Sequence, residues 1–429
     1  MPKPYPDYQM PSGWNALLPN REPSPPLAQS LEADVVIVGA GFTGIACARR
    51  WHEHSPEARI VLIDASEIGE GNPGRNSGFL LEIALAEDAD PKNASRMASC
   101  NELTQQAMQS LVRDIEAAGQ SIDFERAGTY RAAVGDVGLQ SLNNYRQFLI
   151  TAGLPHRELD REQLKQELGT DYYQAGLYSP HCYLVQPAAL IRVLAGLLPA
   201  AVSVYENTPA LEIKKEQGGW RVQTAKGMLR CRNLVLANNS YARDLGAASS
   251  RLAAVYTYAG LTPQLPESVL QSLGSNTNWG LLPTHPMGST LRRTADGRLL
   301  VRSLHDYERE GNPAVIARAL QKRLVNRFPQ VAGIELEQVW GGAVGITYNG
   351  APVWGEPEPG LFASCGCNGG GTVKGTLLGS LLADLAHGES VPDVAGLFGS
   401  ASWMPPEPLR AIGFYCSSKW QSWRGRLEL

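Results

Sequence analysis

At 429 residues the chain is too long for one simple core and reads as two domains, or as one domain interrupted by another. Its 43% hydrophobic and 19% charged residues are ordinary for a globular protein, and a formal charge of −4 gives no net pull toward nucleic acid or anionic membranes. The seven cysteines show no metal-ligand spacing, and the one close pair, Cys365 and Cys367, is not a zinc signature.

Residues 1–29 form a Pro-rich arm without the apolar run of a signal peptide. No later run is long and apolar enough to span a bilayer, so the expected compartment is the cytoplasm. Residues 34–38, DVVIV, read as a buried parallel strand. Gly39-Ala40-Gly41-Phe42-Thr43-Gly44 follows, then a helix over IACARRWHEH and a second apolar run that ends at Asp64 and Ala65. Each glycine has a mechanical reason. Gly39 permits the tight turn, Gly41 lets the backbone approach a pyrophosphate, and Gly44 lets helix and strand pack closely. The helix N-terminus offers unpaired N–H groups and positive dipole charge to phosphates. An acid about 20 residues beyond the loop accepts hydrogen bonds from a ribose, and an acid rather than a basic residue at Asp64 argues against a 2′-phosphate. The segment therefore reads as an FAD or NAD site. The next stretch, ASEIGEGNPGRNSGFLLEIA, presents Arg75, Asn76 and Ser77 among glycines up to Gly78 and Phe79, where an NAD domain would continue into another helix and strand.

Further on, residues 101–119 read as an amphipathic helix stopped by Gly119. Residues 183–245 read as a helix, a strand with a turn, a hairpin and another buried strand. DGRLLVRS is a strand entered from an Asp-Gly turn, and AVIARALQKRLVNRFP is a helix stopped by Pro329. A Gly369-Gly370-Gly371 cluster precedes a helix from Val373 through Leu385. The aromatic tail, Phe414 to Trp423, is expected to pack on its own domain.

The runs ADVVIVGAGFTGIACA and GEGNPGRNSGF resemble the D-amino-acid-oxidase (DAO) superfamily of FAD-dependent enzymes, most closely the branch containing γ-glutamylputrescine oxidase. Glycine oxidase and sarcosine oxidase are more distant relatives. The stretch from Trp340 to Gly355 is similar to that branch's WGG–x–IT–x–N–x–AP–x–G motif, and the resemblance spans nearly the whole chain. It implies an α/β fold with a Rossmann-like FAD-binding domain of the DAO type and an interleaved antiparallel-sheet α+β substrate domain. The FAD-binding pieces would be 30–95, 185–250 and 340–395, the substrate domain 96–184 and 251–339, and the tail 396–429.

The same resemblance implies noncovalent FAD. Arg75–Phe79 would run along the flavin, Ala210 would lie against the adenine, and Asn238 would stand near the cofactor. Gly342, Gly370, Gly371, Thr372, Val373 and Lys374 would meet the ring, with backbone donors offsetting charge gained on reduction. By position in the family pattern, Tyr258, His285, Trp340 and Tyr348 are pocket candidates, with Lys374 a further catalytic candidate. The arginine that amino-acid-oxidising relatives use as a carboxylate fork falls at Val344, and the sarcosine oxidase lysine falls at Val373. Both anchors are missing in place, which points to oxidation of a C–N bond in an amine or polyamine derivative. Lys374, Arg292 or His285 could supply a replacement, so amino-acid or cyclic imino-acid oxidation stays open. The reduced flavin would be reoxidised by O2 or another acceptor. A non-catalytic flavin-binding protein is the alternative from another class.

Overall fold

The computed structural model describes residues 3–83 and 91–429. Residues 1–2 of the expected arm and 84–90 of the first expected FAD-binding piece lie outside the described residues.

Two eight-stranded sheets carry the fold. The first is built on parallel strands taken from separated parts of the chain. Leu31–Val38 lies between Ile60–Ile63 and Met228–Leu236, and Val202–Tyr205 and Leu361–Cys365 extend the row on either side. Val35, Val36 and Ile37 are fully buried, as the β-branched run DVVIV requires of a strand covered on both faces. The hairpin of Glu212–Glu216 and Gly219–Gln223 pairs onto Met228–Leu236. The sequence patterns at these positions form the elements they predict.

Two helices cover one face of this sheet. Phe42–His54 packs on Val373–Ala386, and the contact is made possible by glycines. A Cβ on Gly375 would lie 2.9 Å from the Thr43 hydroxyl, and one on Gly379 would overlap the Thr43 carbonyl. Ile45, Trp51, Leu62, Val235, Phe362 and Leu382 form the core beneath them. Each fully buried apolar side chain of this size contributes about 1.5–3 kcal/mol.

The second sheet runs, edge to edge, Gln338–Ile346, Ala253–Leu261, Leu299–Tyr307, Thr290–Arg293, Trp279–Pro283, Thr129–Ala133, Ala175–Ser179 and Arg157–Asp160. Its neighbours are antiparallel except Trp279–Pro283 with Thr129–Ala133. The helix Pro313–Arg327 packs on it through Leu320 and Leu324 against Trp279, Leu291 and Val301.

Three expectations need correction. The boundary at 340 cuts a strand of the second sheet, because Gln338–Ile346 pairs in full register with Ala253–Leu261. The chain returns to the first sheet only after residue 347, with Val353–Glu358. The helix expected over 101–119 spans Ala94–Ala118, starting earlier than expected, and it stops as expected at Gly119 with φ +62. Third, the tail forms the helix Leu409–Arg424, which packs on the body through Ala411 and Phe414 but leaves both of its tryptophans exposed.

The Pro-rich arm is also fixed to the body. Trp14 is buried edge-on against Trp340, and its indole N–H donates to the Asn76 carbonyl. Ser12 donates to the Gly74 carbonyl.

Candidate active site

The glycine turn after Leu31–Val38 is forced by close approach. Gly39 sits at φ +106, where a Cβ would lie 2.8 Å from the Ala237 carbonyl oxygen. A Cβ on Gly44 would overlap the Gly39 carbonyl, so the helix lies tight on its strand. Asp64 accepts the Ala40 N–H at 2.8 Å and the Ser66 N–H at 3.0 Å, which pins the acid to the loop. Burial raises its pKa above the ordinary carboxylate value, and those hydrogen bonds oppose the shift.

A cavity of about 300 Å³ opens beside this turn. Gly41, Phe42 and Thr43 line it at the N-terminus of one helix, and Gly371 to Gly375 at the N-terminus of the other. Neither helix has a side-chain cap, so their first-turn N–H groups are open to an acceptor from outside the chain. Ser77 also lines the cavity, and its buried hydroxyl has no hydrogen-bond partner within the described residues. Two uncapped helix ends and a buried orphan hydroxyl in one cavity fit the phosphates and ring edge of FAD.

The second sheet and the helix Ala94–Ala118 close the other walls. Phe79, Leu282 and Val344 give an apolar lining, joined by Met97 and Thr104 from the helix. Arg302 lines the cavity from the strand Leu299–Tyr307 and donates to the Thr257 hydroxyl at 2.6 Å. Burial lowers its pKa from the ordinary guanidinium value, and among the described residues no carboxylate forms an ion pair with it. A half-buried cation held this way favours an anion joining it.

Of the residues singled out in the sequence, Gly41, Phe42, Thr43, Arg75, Asn76, Ser77, Phe79, Gly342, Gly370, Gly371, Thr372, Val373 and Lys374 line the cavity. Gly39, Gly44, Asp64, Ala65 and Gly78 are not among its lining residues. Gly39, Gly44 and Asp64 shape the turn from behind, as described above. Gly78, at φ +78, packs where a Cβ would run into the Val185 carbonyl. Ala210 is not on a strand; it falls in the loop between Tyr205 and Glu212 and is buried in the core of the first sheet. Asn238 is replaced at the cavity wall by its neighbour Asn239, whose side-chain oxygen accepts the N–H groups of Gly366 and Cys367.

Arg75 does not offer its guanidinium to the cavity. It donates to the carbonyls of Glu70, Met10 and Gly341 and lies 3.7 Å from the centre of the Tyr8 ring. It clamps the arm to the glycine-rich loop. Three catalytic candidates also lie off the cavity. Tyr258 donates to Asp306 at 2.7 Å and accepts the Gly311 N–H, His285 is packed under Gly425 of the C-terminal segment, and Tyr348 is 79% exposed. Trp340 is buried against Trp14. Of the replacement anchors considered, Arg292 is spent on the Val185 and Ser77 carbonyls, His285 is not among the lining residues, and Lys374 alone lines the cavity. Arg302 carried no sequence signal, since it stands in the strand LLVRSLHDY beside other polar residues, Ser303, His305 and Asp306, with nothing in the spacing to single it out.

The family model for FAD dependent oxidoreductases (DAO) matches residues 34–385. The probable oxidoreductase OrdL of Rhizobium meliloti is 26% identical over 88% of this chain and 89% of its own length. The gamma-glutamylputrescine oxidoreductase of Escherichia coli is 25% identical over 85% of this chain and 86% of its own. Among solved structures, the glycine oxidase of Geobacillus kaustophilus superposes with a TM-score of 0.74 at 21% identity, covering 87% of this chain and 100% of the other, and so shares the fold. The chain belongs to the DAO family of FAD-dependent oxidoreductases.

Proposed function

We propose that this DAO-family enzyme oxidises a C–N bond in a small amine or polyamine derivative that also carries an anionic group. The observation that carries the reading is the combination in one cavity of two uncapped helix N-termini and an arginine, Arg302, that forms no ion pair with a carboxylate among the described residues. Relatives named for a glutamylated polyamine and for glycine fit it, because both substrates pair an amine with a carboxylate.

Bound FAD would supply the acceptor for the hydride that leaves the amine-bearing carbon. The chain's own part is positioning and charge. Arg302, held by Thr257, would fork onto the anionic group and fix which carbon faces the cofactor. Phe79, Leu282 and Val344 would exclude water from that carbon. The N–H groups at Thr372 to Gly375 would offset negative charge gained by the cofactor. The substrate amine must be neutral for its lone pair to assist, and the imine formed is hydrolysed by water. Arg302 equally favours a second reading, an amino acid or cyclic imino acid with its carboxylate directly on the reacting carbon.

Anaerobic titration of the holoprotein separates these. Amines with a distal carboxylate, neutral amines and α-amino acids are added in turn, and bleaching of the flavin absorbance is followed. Bleaching by the distal carboxylates first is the expected result. Bleaching by α-amino acids alone selects the second reading, and no bleaching by any of them leaves a non-catalytic flavoprotein. Admitting air afterwards shows whether O2 accepts the electrons. Acid denaturation is expected to release free FAD, and a protein mass that retains it would overturn noncovalent binding.

A further inference from the structure

The helix Leu409–Arg424 is docked the wrong way round for a core helix. Its inward side offers little to the body: Ala411 and Phe414 meet the Tyr307 cluster, and Gly425 just beyond packs on the His285 ring. Its outward side carries Ile412, Tyr415, Trp420 and Trp423, all exposed, the two tryptophans by 55% and 62%. Those rings stack on each other with centroids 5.5 Å apart. The 3.6-residue period gathers these side chains and Leu409 into one stripe. A contiguous exposed apolar stripe of this kind marks a contact surface.

Charge says what it contacts. From Leu409 to Leu427 there are four basic residues, Arg410, Lys419, Arg424 and Arg426, and no acidic one, although the whole chain carries −4. Arg410 is tied to the carbonyls of Pro405, Leu252 and Ser249. Lys419, Arg424 and Arg426 are exposed, and none of them takes part in an ion pair among the described residues. A second copy of the chain meeting this face through a two-fold axis would set basic residues against basic residues. An anionic lipid surface meets both features. Tryptophan and tyrosine suit the boundary between headgroups and acyl chains, and the basic residues face the phosphates.

We propose that Leu409–Arg424 docks the enzyme on the surface of an anionic bilayer, lying in the interface. No helix among the described residues is long and apolar enough to cross a membrane, so the contact is one of lying on it. The proposal does not depend on the substrate reading.

The test is flotation of the full-length holoprotein with vesicles of phosphatidylcholine alone or with phosphatidylglycerol admixed. Binding to the anionic vesicles, release by high salt and a blue shift of tryptophan emission are expected. Two variants, Trp420→Ser with Trp423→Ser, and Lys419→Glu with Arg424→Glu, should each weaken partitioning roughly tenfold or more. Their flavin absorbance should stay unchanged, since these side chains are exposed and none lines the cavity. Absence of native protein from both vesicle fractions would overturn the proposal, as would vesicle binding that survives both variants. Self-association that the tryptophan variant abolishes would also overturn it and assign the stripe to a contact between copies.

Discussion

Arg302 is where chemistry and electrostatics meet most directly in a single side chain. A hydrogen bond to a charged group contributes about 1.5–3 kcal/mol, so Arg302→Met should cut kcat/KM for carboxylate-bearing substrates about 10- to 100-fold. Neutral amines should be nearly unaffected. An equal loss for both classes would mean that Arg302 shapes the cavity without binding an anion. Three residues along the same strand, His305 has a buried Nδ1 without a partner among the described residues. Burial lowers its pKa from 6.5 to about 4, with Arg302 and Arg323 adding to the effect. The unfolded chain therefore binds a proton that the folded chain refuses between those two values, and stability should fall as pH drops through that window. His305→Gln should flatten that part of the stability curve, measured by urea unfolding across the window. An unchanged slope would mean that His305 keeps its ordinary pKa in the fold.

Between elements, the decisive contact joins the helices Phe42–His54 and Val373–Ala386, because it sets both of their N-termini on one cavity. Gly379→Ala would drive a methyl group into the Thr43 backbone and part the helices. Overpacking of this sort costs about 1–3 kcal/mol, more than the helix propensity gained from alanine. Lower stability and weaker FAD retention are expected together, followed by unfolding and by flavin fluorescence on dilution. The same change at Gly413, which has nothing within 4 Å of its would-be Cβ, should stabilise by up to about 1 kcal/mol instead. Equal effects at both positions would refute the packing argument. The first glycine loop was readable because strand, turn, helix and acid follow one another in sequence, and each has a local cause. Gly375 and Gly379 drew no notice within the helix read from Val373 through Leu385, since the partner that needs them small lies more than three hundred residues earlier. Arg302 was hidden for a similar reason. Its neighbours Thr257 and Thr290 come from other strands of the second sheet, and no spacing along the chain announces that meeting. The strand Gln338–Ile346 was assigned to the wrong side because its motif belongs to the cavity while its hydrogen bonds belong to the second sheet.

At the scale of the whole molecule, the N-terminal arm stitches these distant pieces together. Arg21 pairs with Glu206, which is fully buried and also accepts the N–H groups of Ser24 and Ile68. One carboxylate thus joins the arm, the loop after Asp64 and the end of the strand Val202–Tyr205. Burial alone would raise its pKa, but the hydrogen bonds from Arg21, Ile68 and Ser24 win and hold it below the ordinary value of 4.5. Its contribution to stability is therefore complete above that value and lost as pH falls through the lowered one. Arg21→Met leaves the carboxylate buried without its cation, at a cost of about 3–5 kcal/mol near neutral pH. Removing the charge as well, in Arg21→Met with Glu206→Gln, should recover a large part of that loss, because a neutral amide carries no ionic desolvation penalty. Urea unfolding of the two variants at neutral pH tests this. If the double variant is no more stable than the single one, the arm is held by shape alone. If it recovers, the desolvated charge is what makes the arm obligatory. Arm and cofactor loop should then come loose as one unit, with FAD release preceding global unfolding in Arg21→Met.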